Sequence, residues 1–143
     1  MVQRLTLTAC LIGSCVLCLA LVLRAEAVQP ADVGFKPVAP IESLMYGQVT
    51  LFNRMATLVT QTGNVKSVHE LEEAAFALAE LANVNRHNSE KDDYRQWATL
   101  LRDTCVQLAK EAEKAADADA ARLKLLFEQA KGVCQSCHDV YQN

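Results

Sequence analysis

Apolar residues recur at Ile41, Leu44, Met45, Leu51, Phe52, Met55 and Val59, the i, i+3, i+4 spacing of one helix face. Gly63-Asn64 ends this first helix. A second helix is predicted from Ser67-Val68-His69-Glu70, a capping box in which the serine side chain satisfies an orphan backbone N–H and the glutamate reaches back. Its inward stripe is Val68, Leu71, Ala75, Leu78 and Ala82. Residues 83–93 hold Asn83, Asn85, His87 and Asn88, which compete with a helix for backbone hydrogen bonds, so this stretch predicts the central crossover loop. Ser89 is then the expected cap of a third helix facing inward with Tyr94, Trp97, Leu101, Cys105, Leu108 and Ala112. Arg95, Arg102, Lys110, Glu111 and Lys114 fall on the opposite, solvated side. The period falters at Asp117-Ala118-Asp119, where either aspartate can cap a fourth helix carrying Leu123, Leu126, Phe127, Ala130, Cys134, Cys137 and Tyr141 inward. No alternating β-branched run is long enough for a strand. The expected fold is all-α, an antiparallel four-helix bundle over residues 41–143.

The chain ahead of the bundle reads differently. Arg4 precedes an apolar run from Leu5 to Leu23, and Ala25-Glu26-Ala27 supplies small residues at cleavage positions, the order of a secretory signal over residues 1–27. The apolar run is also long enough to span a bilayer if retained as an anchor. A lipid-acceptor site at Cys10 or Cys15 would lie too early, leaving most of the apolar run uncut. Residues 28–40 contain all three prolines and no helical period, an extended strap. Export to the periplasm is expected in either case, with the protein anchored to the membrane where the leader is kept.

Composition then narrows the partners. Removing Arg4, Arg24 and Glu26 leaves 12 of 14 basic and 16 of 17 acidic residues, a net charge of −4. This mild acidity disfavours nucleic acid and suits an exported protein that meets a basic partner. About 116 residues suffice for one core. Of six cysteines, Cys10, Cys15 and Cys18 belong to the leader, leaving Cys105, Cys134 and Cys137.

The chemistry is concentrated near the C-terminus, in Cys134-Gln135-Ser136-Cys137-His138. On a helix, positions three and four apart share a face. Two thiols so placed can add to the two vinyl groups of a haem, and the adjacent imidazole can ligate its iron. A redox Cys-x-x-Cys pair usually opens a helix after a strand, where its thiolate is stabilised, whereas this pair closes a helical chain. A zinc site would have to recruit His69, His87 or Cys105 at no familiar spacing. One covalently attached haem c, held by Cys134 and Cys137 with His138 on the iron, is therefore expected.

In these features the chain resembles the class II c-type cytochromes, the cytochrome c′ family. They are exported four-helix bundles with CxxCH near the end of the last helix, followed by an acidic residue and an aromatic, here Asp139 and Tyr141. The resemblance implies that the first helix supplies the residue over the open haem face. That residue is methionine in six-coordinate low-spin members and apolar in five-coordinate gas-binding ones. The stretch Glu42-Ser43-Leu44-Met45-Tyr46 is similar to that segment and assigns Met45 to the iron, while a slip of one residue would put Leu44 there and reverse the functional conclusion. Ile41 stands where the family commonly has a basic residue, and Gln142 where an Arg or Lys usually follows the aromatic.

A thioether is a soft, neutral ligand that favours ferrous iron and closes the site to gases, so a His138/Met45 pair implies electron transfer. With a vacant distal face, the implication is reversible binding of nitric oxide or carbon monoxide. An enzymatic role such as peroxidase is not expected, since no histidine or arginine falls on the inward face of the first helix. His69 and His87 are read as solvated. Cys105, Tyr94, Trp97 and Met55 are read as core, with Met55 near the haem edge at most, and for Phe127 contact with the ring and core packing are equally open. The partners implied are an unspecified redox protein and, through the apolar bundle, a second copy of the chain.

Overall fold

The computed structural model describes residues 34–141. The expected leader or anchor, the first part of the strap, and Gln142 lie outside the described residues. The chain divides into two compact units, Met1–Phe35 and Lys36–Asn143, and every helix described belongs to the second. That unit contains α1 (Ile41–Leu58), α2 (Val65–Asn85), α3 (Asp92–Ala112), a 3-10 turn (Ala115–Asp117) and α4 (Ala120–Tyr141). Among the described residues there is no strand. No helix among them is long and apolar enough to cross a membrane.

Several boundaries differ from the sequence reading. Asn64, not Ser67, caps α2, its side-chain oxygen accepting the Lys66 N–H at 2.9 Å. Ser67 is buried one turn later, and its hydroxyl donates to Gln61 Oε1 at 3.1 Å. Helix α2 also runs through Asn85, so the loop expected over 83–93 shrinks to residues 86–91. The asparagines tolerate the helix here because the Asn85 side chain finds partners on α1 and α3. Ser89 is not the cap of α3; the cap position is Lys91, and Ser89 Oγ accepts the Lys91 N–H at 3.2 Å in the preceding turn. Asp119 caps α4, accepting from the Ala121 and Arg122 N–H groups at 2.9 and 3.1 Å.

Side-chain pairs fix the helix directions. Arg54 near the end of α1 meets Glu70 near the start of α2 at 3.2 Å. Asn85 at the end of α2 meets Tyr94 at the start of α3, and Tyr141 at the end of α4 meets Asp93 beside it. Each consecutive pair is therefore antiparallel, as short connections require. Alanines 74, 75, 79 and 82 are buried on α2 and allow close approach of its neighbours. Helices α1 and α4 are not among the closely approaching pairs; Phe52 and Phe127 bridge them by stacking with centroids 4.8 Å apart.

The result is a bundle with two unlike ends. At one, Met55, Leu71, Leu108, Leu123 and Leu126 are fully buried in a continuous apolar core. At the other, the start of α1, the end of α2, the start of α3 and the end of α4 come together around a cavity.

Candidate functional site

Cys134, Cys137 and His138 lie within the last two turns of α4, in unbroken helix, and all three are half-buried. The end of this helix is pinned by Tyr141. Its hydroxyl donates to Asp93 Oδ1 at 2.6 Å, its ring packs edge-on against Tyr94 and Trp97 at 5.5 and 6.0 Å, and the Lys91 ammonium sits 4.8 Å above it. The contacts hold the motif against the start of α3 rather than letting the helix fray.

Met45 reaches the same place from α1. An inner crevice of about 30 Å³ is lined by Met45, Gln48, Asn85, Tyr94 and Trp97 together with Cys134, Cys137 and His138. It adjoins an outer groove of about 500 Å³ that shares Met45, Gln48, Cys134 and His138 and adds Tyr46, Val49, Phe52 and Leu78. Leu44 lines neither, its side chain being buried elsewhere. The walls are mainly apolar.

Glu42 and Asn53 border the outer groove, and two buried polar side chains, Gln48 and Asn85, break the inner surface; neither of these two was read as a site residue in the sequence. Gln48 is 9 % exposed, and its Nε2 has no hydrogen-bond partner. Its signal was available, since it is a polar residue three positions after Met45 and four after Leu44 on an otherwise apolar stripe. Asn85 is 3 % exposed; its Oδ1 accepts from Tyr94 Oη at 2.9 Å and from Asn88 Nδ2 at 3.2 Å, while its Nδ2 donates to Met45 Sδ at 3.9 Å. It was hidden in a stretch read as loop.

Burial pushes the Cys134 thiol up to about 11, with the charge of Cys137 adding to the shift. It raises Cys137 too, helped by the Asp93 carboxylate. Both are neutral thiols at pH 7, the reverse of the stabilised thiolate that a redox Cys-x-x-Cys pair uses. Among the described residues no group of three or more His, Cys, Asp or Glu side chains converges as a metal donor set.

The other sequence candidates lie elsewhere. His69 is exposed on α2, 3.2 Å from Glu72 and 3.6 Å from Glu73. His87 accepts from Arg86 Nε at 3.1 Å beyond the end of α2. Met55 and Cys105 are completely buried in the core, where burial drives the Cys105 thiol up to about 12. Phe127 packs in that core against Phe52. Tyr94 and Trp97, expected as filling, are wall residues of the crevice. Comparison of the chain with protein-family models, curated proteins and solved structures finds no match.

Proposed function

We propose that this protein is an exported monohaem c-type cytochrome of the class II kind, transferring electrons through a low-spin haem ligated by His138 and Met45. The observation that carries the reading is the shared cavity: Met45, and not Leu44, lines it together with Cys134, Cys137 and His138. The donor set fits the group, with two neutral thiols and an imidazole on one helix, a thioether on another, and apolar walls. The four donors meet at the inner crevice of about 30 Å³, and the adjoining groove, which Met45, Cys134 and His138 also line, measures about 500 Å³, within the usual range for cofactor sites.

In this reading Cys134 and Cys137 would hold the porphyrin through thioether links, and His138 and Met45 would ligate its iron. When bound, the haem supplies a reversible one-electron couple. The protein's part is to bind, orient and shield. The thioether of Met45 favours the ferrous state and occupies the position a gas would take. Phe52, Leu78 and Val133 line these spaces and would keep water from the ring. Exposed Tyr46 and Val49 border the outer groove, an edge at which a weak, short-lived encounter with a redox protein suffices. The acidic balance favours a basic partner.

A second reading, a five-coordinate haem binding nitric oxide or carbon monoxide, is favoured by one feature: the Gln48 amide N–H is a donor on the same wall that a bound diatomic can use. Absorption spectra of the purified ferric and ferrous holoprotein, with and without carbon monoxide, separate the two. Electron transfer predicts low-spin bands, a sulfur-to-iron charge-transfer band lost in Met45→Leu, and no carbon monoxide adduct until that substitution is made. A high-spin spectrum with a carbon monoxide adduct, unchanged by Met45→Leu, would establish the gas-binding reading. Absence of covalent haem would exclude both.

A further inference from the structure

The Met45 side chain has three rotatable bonds and a weakly basic sulfur, so its orientation has to be imposed by its surroundings if it is to serve as a ligand. The end of α2 supplies a restraint. Asn85 is almost completely buried and its carboxamide is used at both ends. Tyr94 Oη and Asn88 Nδ2 both donate to its oxygen, at 2.9 and 3.2 Å, which turns its nitrogen toward Met45 Sδ, 3.9 Å away. Sulfur accepts at longer range than oxygen and accepts weakly, so this bond orients more than it stabilises.

Tyr94 is itself fixed. Its ring packs edge-on against Tyr141, whose hydroxyl is bonded to Asp93. Burial pushes the Tyr94 phenol up to about 12, so it remains a donor across the physiological range. A continuous chain of contacts thus runs from Tyr141 in the last turn of α4, just beyond the Cys-x-x-Cys-His motif, through α3 and α2 to the sulfur on α1.

We infer that Asn85 is the positioning residue for Met45, holding one sulfur lone pair in a hydrogen bond so that the other is presented to the cavity. This inference rests on the proposed His138/Met45 ligation. Hydrogen bonds to iron ligands set both ligand strength and orientation, and loss of such a partner typically weakens a metal–ligand bond by about tenfold or more.

The test is imidazole titration of the ferric holoprotein, followed spectroscopically, because imidazole competes with a weak sixth ligand. Wild type, Asn85→Leu and Tyr94→Phe are compared, each also in the Met45→Leu background. Asn85→Leu keeps the shape and removes the amide; it is expected to bind imidazole about tenfold more tightly than wild type, with its sulfur-to-iron band weakened. Tyr94→Phe leaves Asn85 in place and shifts affinity the same way by less. Both effects disappear in the Met45→Leu background, where no sulfur remains to orient. Equal imidazole affinity in wild type and variants, or the same change persisting without Met45, overturns the inference and leaves Asn85 a structural residue. Tyr94→Phe decides by the same comparison if Asn85→Leu does not fold. A wild-type ferric spectrum that is not low-spin removes the ligation reading and the inference together, whereas a low-spin wild type with inert variants removes the inference alone.

Discussion

Gln48 and Tyr141 show how single side chains near the cavity make different demands on the fold. The Gln48 amide nitrogen is buried with no partner, and a buried unsatisfied polar group costs roughly 1–3 kcal/mol. Gln48→Leu should therefore raise stability by about 1 kcal/mol in urea unfolding. A fall in stability would instead show that the amide is paired in the holoprotein. Tyr141 has the opposite character. Its hydrogen bond lowers the Asp93 pKa and, with that bond as first cause and burial as second, raises its own to about 12. A depressed carboxylate contributes stability above its unfolded value and loses it as pH falls through the folded one. A raised phenol contributes stability below its unfolded value, about 10, and loses it as pH rises through the folded one. The latch is hence complete from about pH 5 to 9 and lost at both extremes. Thermal midpoints of wild type and Tyr141→Phe should differ across that window and converge in acid below the ordinary carboxylate range and near pH 12. A constant difference at every pH would mean that only the ring packing matters.

At the scale of helices, the connection between α3 and α4 is the least regular. Ala115 has φ of 53°, the left-handed region that a residue following a helix often enters and that glycine fills without strain. Ala115→Gly should stabilise by about 0.5–1 kcal/mol, the relieved strain exceeding the added entropy of the unfolded chain. Unchanged or lower stability in a urea titration would show that this turn relaxes without cost. Asp119 then starts α4 with two side-chain-to-backbone bonds, setting the helix whose far end carries the motif. The break before α4 was legible as a faltering period near 117–119, with Asp117 or Asp119 as the cap, whereas the 3-10 turn at Ala115–Asp117 was not. The start of α2 was not: Ser67 and Glu70 have capping-box spacing, but the helix begins earlier and takes Ser67 into the buried turn. Local spacing cannot register that Gln61 waits to accept the serine hydroxyl.

Across the whole bundle, one end is filled by apolar side chains and the other is arranged around a cavity, with Phe52 and Phe127 bridging α1 to α4. A group bound in that cavity would add contacts that the unfolded chain cannot make, and so stabilise the native state by mass action or covalent tethering. Replacing both thiols, as Cys134→Ala with Cys137→Ala, should leave no haem on the denatured chain and lower the melting temperature of the preparation. Covalent haem surviving both substitutions, detected on a denaturing gel, would refute attachment at these cysteines. Because the cavity lies toward one end and the fully buried Met55, Leu71, Leu108 and Leu123 toward the other, the drop should come first from the start of α1 and the last turns of α4, with the core helices protected longer in hydrogen exchange.

The amino-acid sequence by itself determined the all-helical fold, most of the inward stripes and the Cys134, Cys137, His138 motif, because helical periodicity and covalent spacing are local properties. The stripe over 94–112 and the apolar face of α4 were readable for that reason. Tertiary structure decided what depends on four chain ends meeting: that Met45 rather than Leu44 lines the cavity, that Asn85 is helical and buried, and that Gln48 faces inward unpaired. Helix phase differs by about 100° between neighbouring residues, so a one-residue ambiguity on α1 cannot be settled from α1 alone. Which of the two side chains lines the cavity follows from packing against α2, where Gly47 lies close to Leu81 and the Asn85 amide meets the Met45 sulfur.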